Sequence, residues 1–286
     1  MSKIDMSKIA VMNICYQFYP FKSFLSSVTQ MGIRKIDIWA GYPHLALEEG
    51  CEAEVRSVSR MCDDFGVEVI CLTPKQIGLP MNIADERPKF RRRAIDYLKR
   101  AIDCSDILGT DMLQIVPGSG LYSESPQAAW ERARGSIAEL ASYAHAAKKI
   151  LVLEPLQLIE SNLLGTASAL KRMIDEVNSP ALKAVIDTCH MEKSHETLEG
   201  CFKILGKHIR HIHLNEEDQL PWGEGRSDLD SYLTQLENSG YDGNVTLEVC
   251  SRPHYIYADW TMSKNVAYVF ETLNRREYDS RRPKEA

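Results

Sequence analysis

The sequence predicts an α/β protein folded as one (β/α)8 barrel, the TIM-barrel architecture, and three observations agree on it. Eight short runs of apolar, often β-branched residues recur along the chain, as strands covered on both faces require. Between them lie stretches with helical spacing of apolar residues, long enough for the crossovers that parallel neighbours need. The length, 286 residues, is close to the roughly 250 that one such barrel occupies. No linker or low-complexity segment interrupts the pattern, so a single domain over 1–286 is expected, with its core at about 9–273. An open doubly wound sheet is the alternative, but no G-x-G-x-x-G follows the first strand.

The first expected strand is 9–15, followed by Tyr16 and Phe18. The second, 35–39, ends on Trp39, and the third covers 67–72. The fourth, 112–116, leads into the clearest helix, in which Trp130, Ala133, Ile137, Leu140, Ala141 and Ala144 recur at helical spacing. Ser125 is its candidate N-cap and Pro126 its first helical residue. Strands at 150–154, 182–187, 209–214 and 244–249 follow, and 258–273 is the last helix. Gly32, Gly66, Gly109, Gly206 and Gly240 each stand shortly before a strand, where a helix must be ended. The tail, 274–286, is polar and Arg-rich and is expected to fray.

Composition narrows the function. With 44% hydrophobic and 26% charged residues the chain is neither disordered nor collagenous. No apolar run approaches the ~20 residues of a membrane span, so no membrane partner is expected. The opening MSKIDMSKIA lacks a long apolar segment, which argues against a signal peptide and for a cytoplasmic location. A net charge of −6 disfavours a nucleic-acid partner. The eight cysteines form no C-x-x-C pair and are expected to be reduced thiols.

In a barrel, reactive groups project from the C-terminal ends of the strands. Strand five ends LVLEP, with Glu154 at its tip. Strand six ends AVIDTCH, giving Asp187 and, three residues on, His190. Strand seven reads IRHIHLNE, offering His211 and His213, which share one face and which spacing alone does not separate. Strand eight reads VTLEVC and offers Glu248. One such acid after a buried strand is more often a helix cap. Four ionisable groups on four consecutive strands, each after an apolar run, argue for a site, because buried charges demand partners. A divalent cation is the simplest neutraliser. The oxygen-rich set with one imidazole suits Mn2+, Mg2+ or Co2+ in six coordination better than a closed structural zinc site. His145, His195 and His208 lie in helix-like or turn contexts and are expected at the surface.

The runs LEPLQLIESN, VIDTCH, HIHLNE, GEGR and TLEVC resemble the sugar isomerase/epimerase family with a xylose-isomerase-like TIM barrel. Within it they are most similar to the ketose 3-epimerases, fructoselysine epimerases among them. DIWAGYPH, LTP and LPMNIADE share the likeness, which covers all but the termini. The resemblance implies one divalent ion held by Glu154, Asp187, His213 and Glu248, and picks His213 over His211. It favours Mn2+, with Co2+, Mg2+ and Zn2+ as alternatives. It implies inversion at C3 of a ketose or fructosamine-type sugar through an enediolate, with Glu154 and Glu248 as the acid/base pair. It also implies a homo-oligomer, a dimer or tetramer. Glu160 and His190 match positions that hold substrate oxygens, and Trp39, Tyr16 and Arg226 of the GEGR run are expected to join them. One departure stands out. Epimerases of free ketoses carry an Arg in the loop after strand seven, where this chain has Gln219. A neutral amide does not clamp oxygens as a guanidinium does, which points to a different substituent at that end of the sugar.

An aldose–ketose isomerase of the hydroxypyruvate isomerase kind, or an inosose-type dehydratase, would use the same metal set. A trinuclear nuclease is disfavoured, since strands three and four run into LTPK and IVPG without histidine. A non-catalytic sugar-binding protein is disfavoured because both glutamates are present.

Overall fold

The eight apolar runs pair in chain order in a computed structural model of the protein, which describes residues 4–77 and 81–281. The strands are β1 Ile9–Met12, β2 Lys35–Ala40, β3 Glu68–Pro74, β4 Met112–Ile115, β5 Ile150–Leu153, β6 Leu182–Asp187, β7 Ile209–His213 and β8 Val245–Leu247. All neighbours are parallel, and β8 pairs with β1 (Ile9 opposite Val245), closing the barrel. The helices of the outer ring are α1 Phe21–Gln30, α2 Glu52–Phe65, α3 Pro88–Ile107, α4 Pro126–Ala146, α5 Ala167–Val177, α6 Thr188–Lys193, α7 Leu198–Leu205, α8 Leu229–Ser239 and α9 Ala258–Arg281. Among the described residues no helix is long and apolar enough to cross a membrane.

Two apolar layers hold this arrangement. A small cluster of Ala10, Ile70, Cys71, Val152 and Val185 forms one, and the large core between strands and helices forms the other. The expected stripe of α4, from Trp130 to Ala144, is buried. Pro126 occupies its first turn, but the Ser125 side chain does not cap it, so proline geometry sets that start. All eight cysteines are free thiols, Cys51 and Cys104 lying 3.7 Å apart in contact.

Three expectations change. The first strand stops at Met12, and residues Asn13–Tyr16 turn as a 3-10 helix. The Asn13 side chain accepts from Trp39 N–H at 2.6 Å and donates to Trp39 C=O at 3.1 Å, so a side chain replaces the next rung of the ladder. The last strand is only Val245–Leu247, which leaves Glu248 just beyond it. The tail is not frayed as far as Arg281: α9 continues through it. Arg276 reaches Glu237 at 2.9 Å and Asp230 at 3.2 Å on α8, and Arg275 also pairs with Asp230. The arginines that read as a solvated tail are the groups that dock this helix. Residues 282–286, and the first two residues of LPMNIADE, lie outside the described residues.

Candidate active site

The strand ends build one buried acidic cluster around an imidazole. Asp187 ends β6 and caps α6: its Oδ1 accepts the N–H groups of Cys189 at 2.7 Å and His190 at 3.0 Å. That fixes the carboxylate and turns Oδ2 inward, where Asn215 Nδ2 donates to it at 2.6 Å. Glu154 follows β5, its N–H bonded to Ile115 C=O at 3.0 Å, and its Oε2 accepts from Gln114 at 2.8 Å. Glu248 follows β8, its N–H bonded to Asn215 Oδ1 at 3.0 Å. Asn215 Nδ2 also lies 3.4 Å from Glu248 Oε2, so Asn215 contacts two of the three carboxylates.

His213 ends β7 in their midst. Its Nδ1 lies 3.0 Å from Glu248 Oε2, 3.5 Å from Glu154 Oε1 and 4.0 Å from Asp187 Oδ2, yet this buried nitrogen makes no well-formed hydrogen bond. Its other nitrogen, Nε2, faces Asp37 Oδ2 at 3.4 Å. His211 lies in the layer below, with Nε2 3.2 Å from the same Asp37 oxygen and 3.1 Å from Thr246 Oγ1. Asp37 Oδ1 accepts from Thr73 Oγ1 at 2.8 Å. Only His213 thus stands beside the carboxylates. A carboxylate against Nε2 selects the tautomer protonated there and leaves the Nδ1 lone pair of the neutral ring turned to the cluster.

Burial and mutual repulsion set the electrostatics. Burial pushes Glu154 up to about 8, against the pull of His213 and His190 and with the help of Asp187 and Glu248. Burial would raise Glu248 as well, but the adjacent His213 outweighs it and holds it low. Burial opposes charge on His213, yet Glu248, Asp37 and Glu154 carry its pKa well above the ordinary imidazole value. So much charge in one dry volume is costly unless a cation shares it. The ligating atoms of Glu154, Asp187 and His213 lie within 4.8 Å of one another, as do those of a second trio, Asp37, Cys71 and His211. The first trio with Glu248 fits a hard divalent ion by its donor types and by the orphaned His213 Nδ1.

Of the expected substrate contacts, Glu160 and His190 come together, with Oε2 and Nε2 3.6 Å apart. Glu160 Oε2 and His190 Nδ1 are buried without hydrogen bonds. Burial disfavours a charged His190, but Asp187, Glu154, Glu160 and Glu248 outweigh it and raise its pKa. Trp39, next to last in β2, lies two residues beyond Asp37 and on the same face. Arg226 does not join them: its guanidinium pairs with Glu217 at 2.8 Å and its side chain is 86% exposed. Nor does Tyr16, which is fully buried with its ring edge-on to Phe24 and its hydroxyl 2.7 Å from Ser27 Oγ. The early end of β1 turns it into the core beside α1. Tyr16→Phe is therefore expected to cost about 0.5–1.5 kcal/mol, the worth of one hydrogen bond, and to leave turnover unchanged; paired thermal melts and rate assays check both. Of the histidines expected at the surface, His145 and His195 are exposed and His208 is half-buried.

Sequence reasoning missed Asp37, Gln114 and Asn215. The signal for Asp37 is a carboxylate in mid-strand in KIDIWA, on the face Trp39 occupies. Gln114 and Asn215 are neutral and carry no such mark.

A family model described as xylose isomerase-like TIM barrel matches residues 25–279. Fructoselysine 3-epimerase of Shigella flexneri is 27% identical over 240 residues, 82% of this chain and 87% of that protein. D-psicose 3-epimerase of Ruminiclostridium cellulolyticum is 26% identical over 172 residues, 58% of this chain and 59% of that one. Among solved structures, L-ribulose 3-epimerase superposes with a TM-score of 0.80 at 19% identity over 100% of both chains. D-psicose 3-epimerase with D-tagatose, from Clostridium cellulolyticum H10, gives 0.78 at 18% identity, covering 94% of this chain and 98% of that one. At these identities the structural likeness speaks to the fold.

Proposed function

The chain belongs to the xylose isomerase-like TIM barrel family, and on that premise we propose that it is a sugar epimerase inverting C3 of a ketose or fructosamine-type substrate. The relatives named as ketose and fructoselysine 3-epimerases support the reaction class. The observation that carries the site is the convergence of Glu154, Asp187 and Glu248 on the unbonded Nδ1 of His213. A divalent cation held by these four side chains, Mn2+ by preference, would supply Lewis-acid stabilisation of the negative charge that develops on the ketose oxygens.

The protein's own groups do the rest. Glu154 and Glu248 come from strands three apart and approach the cluster from different sides of the mouth. One takes the C3 proton and the other returns a proton to the opposite face, which inverts the carbon. Gln114 donates to Glu154 Oε2, and Asn215 Nδ2 reaches Glu248 Oε2 at 3.4 Å, so both carboxylates are positioned before the reaction. Glu160 and His190, beside each other with unbonded polar atoms, orient the neighbouring hydroxyls. The same reading carries a cytoplasmic location and a homo-oligomer, dimer or tetramer, which sedimentation tests.

The deciding assay follows the label. With D-fructose and a fructosamine in deuterated water, deuterium is expected at C3 of an inverted product. Loss of water or an aldose product contradicts the reading. Strong chelation is expected to stop exchange, and Mn2+ or Co2+ to restore it; full activity of verified metal-free protein counts against the cation.

A further inference from the structure

β3 sends Cys71 and Thr73 toward the barrel interior, Thr73 bonding Asp37 there. Lys75 directly follows the last residue of β3 and so stands at the C-terminal, mouth end of the barrel, one step further along the same alternation. Its backbone N–H donates to Ala40 C=O at 3.1 Å, which extends the β2–β3 pairing and fixes where the side chain begins. The ammonium stands 5.1 Å from the centroid of the Trp39 ring. That ring lies across the top of β2 because Gly41 has no side chain: a Cβ there would fall 2.1 Å from the indole. Ring, glycine and lysine make a fixed ledge.

Most other cations of this rim are already paired: Lys193 with Asp218, Arg226 with Glu217 and Arg132 with Glu124. Among the described residues the half-buried Lys75 ammonium has no carboxylate within ion-pair distance and no hydrogen bond, only the aromatic face. The loops after β2, β3 and β5, at the same end of the barrel, carry exposed apolar side chains: Tyr42, Ile77, Leu158 and Ile159. Apolar loops with an unpaired, half-buried cation at the same end of the barrel suit a molecule longer than a free ketose, ending in negative charge.

We propose that Lys75 is a specificity-determining residue that receives an anionic group, carboxylate or phosphate, at the end of the substrate remote from Glu154 and Glu248. This rests on the epimerase reading and names its substrate class: an acidic sugar adduct. A hydrogen bond assisted by charge in a partly desolvated site corresponds to roughly ten- to hundredfold in affinity.

The probes are a matched pair: the ketosamine of 6-aminohexanoic acid and that of 6-aminohexanamide, identical but for the charge. D-fructose 6-phosphate against D-fructose separates phosphate from carboxylate. Calorimetric binding is measured on protein supplied with Mn2+, for wild type, Lys75→Met and Lys75→Arg. The acid is expected to bind wild type roughly ten- to hundredfold more tightly than the amide, Lys75→Met to erase the gap chiefly by weakening the acid, and Lys75→Arg to keep most of it. Binding to wild type that is equal within both pairs, acid with amide and phosphate with free sugar, or a gap that survives in a folded Lys75→Met, overturns the proposal. Deuterium exchange at C3 is read separately. Exchange without a gap sinks the Lys75 assignment alone, whereas a gap without exchange sinks the epimerase reading alone.

Discussion

Glu248→Gln is expected to lower turnover by roughly 10²–10⁴-fold, the usual worth of a positioned acid/base group, while the protein folds as before. Gln keeps the size of the side chain, and its carbonyl can still face Cys250, whose thiol lies 3.0 Å from Glu248 Oε1. The backbone bond to Asn215 Oδ1 is untouched, and only the long 3.4 Å contact of Asn215 Nδ2 with Glu248 Oε2 is given up. What the amide loses is the ability to take or give a proton and the negative charge beside His213. Residual exchange of solvent deuterium, if it persists through Glu154, is expected to retain configuration at C3, because one partner of the inverting pair is gone. Rates, product configuration and melting temperature read on one preparation check this. Normal inversion by the variant removes Glu248 from the pair.

Asp37→Ala is expected to be the most destabilising change near the site, on the order of 3–5 kcal/mol. Asp37 is fully buried, and its carboxylate serves Thr73, His211 and His213. Its removal strands two imidazoles whose rings are 5.1 Å apart and frees the Nε2 side of His213. Burial alone would raise the Asp37 pKa, but hydrogen bonds from His211 and His213 outweigh it and hold it at about 2. A carboxyl depressed in the folded state stabilises above its unfolded pKa of about 3.9 and loses that contribution as pH falls toward 2. Wild type is therefore expected to weaken across this acid window, and Asp37→Ala to lack that share of the pH dependence. Asp37→Asn keeps the shape but no longer holds Nε2–H of both histidines. It is expected to lose roughly 10–100-fold in cation affinity or activity. Denaturant titrations from pH 2 to 7, with Mn2+ binding alongside, measure both effects. An Asp37→Ala protein as stable as wild type contradicts the assigned role.

The contrast between Glu248 and Asp37 marks what sequence can carry. Glu154, Asp187, His213 and Glu248 were legible because each stands at the end of an apolar run, where the fold makes charge conspicuous. Asp37 sits inside a run, and only the closed barrel brings β2 across the interior to β7. Tyr16 was misread for a local reason: Asn13 takes over the hydrogen bonds of the next strand rung, so the chain turns before Tyr16. Arg226 was misread because a loop arginine near the mouth looks like a ligand contact until its partner, Glu217, is placed beside it. The arginines at 275 and 276 likewise read as solvated until α8 supplied their carboxylates. For Asp37, Tyr16 and the tail arginines the missing information was a contact between residues distant in the chain, and for Arg226 it was a partner nine residues back in the same loop.

The central claim is that Glu154, Asp187, His213 and Glu248 hold one divalent cation. Anomalous diffraction from crystals grown with Mn2+ tests it most directly. The account predicts a single strong peak at bonding distance from His213 Nδ1 and from oxygens of the three carboxylates. A peak at Asp37, Cys71 and His211 instead, or none at saturating Mn2+, would contradict it.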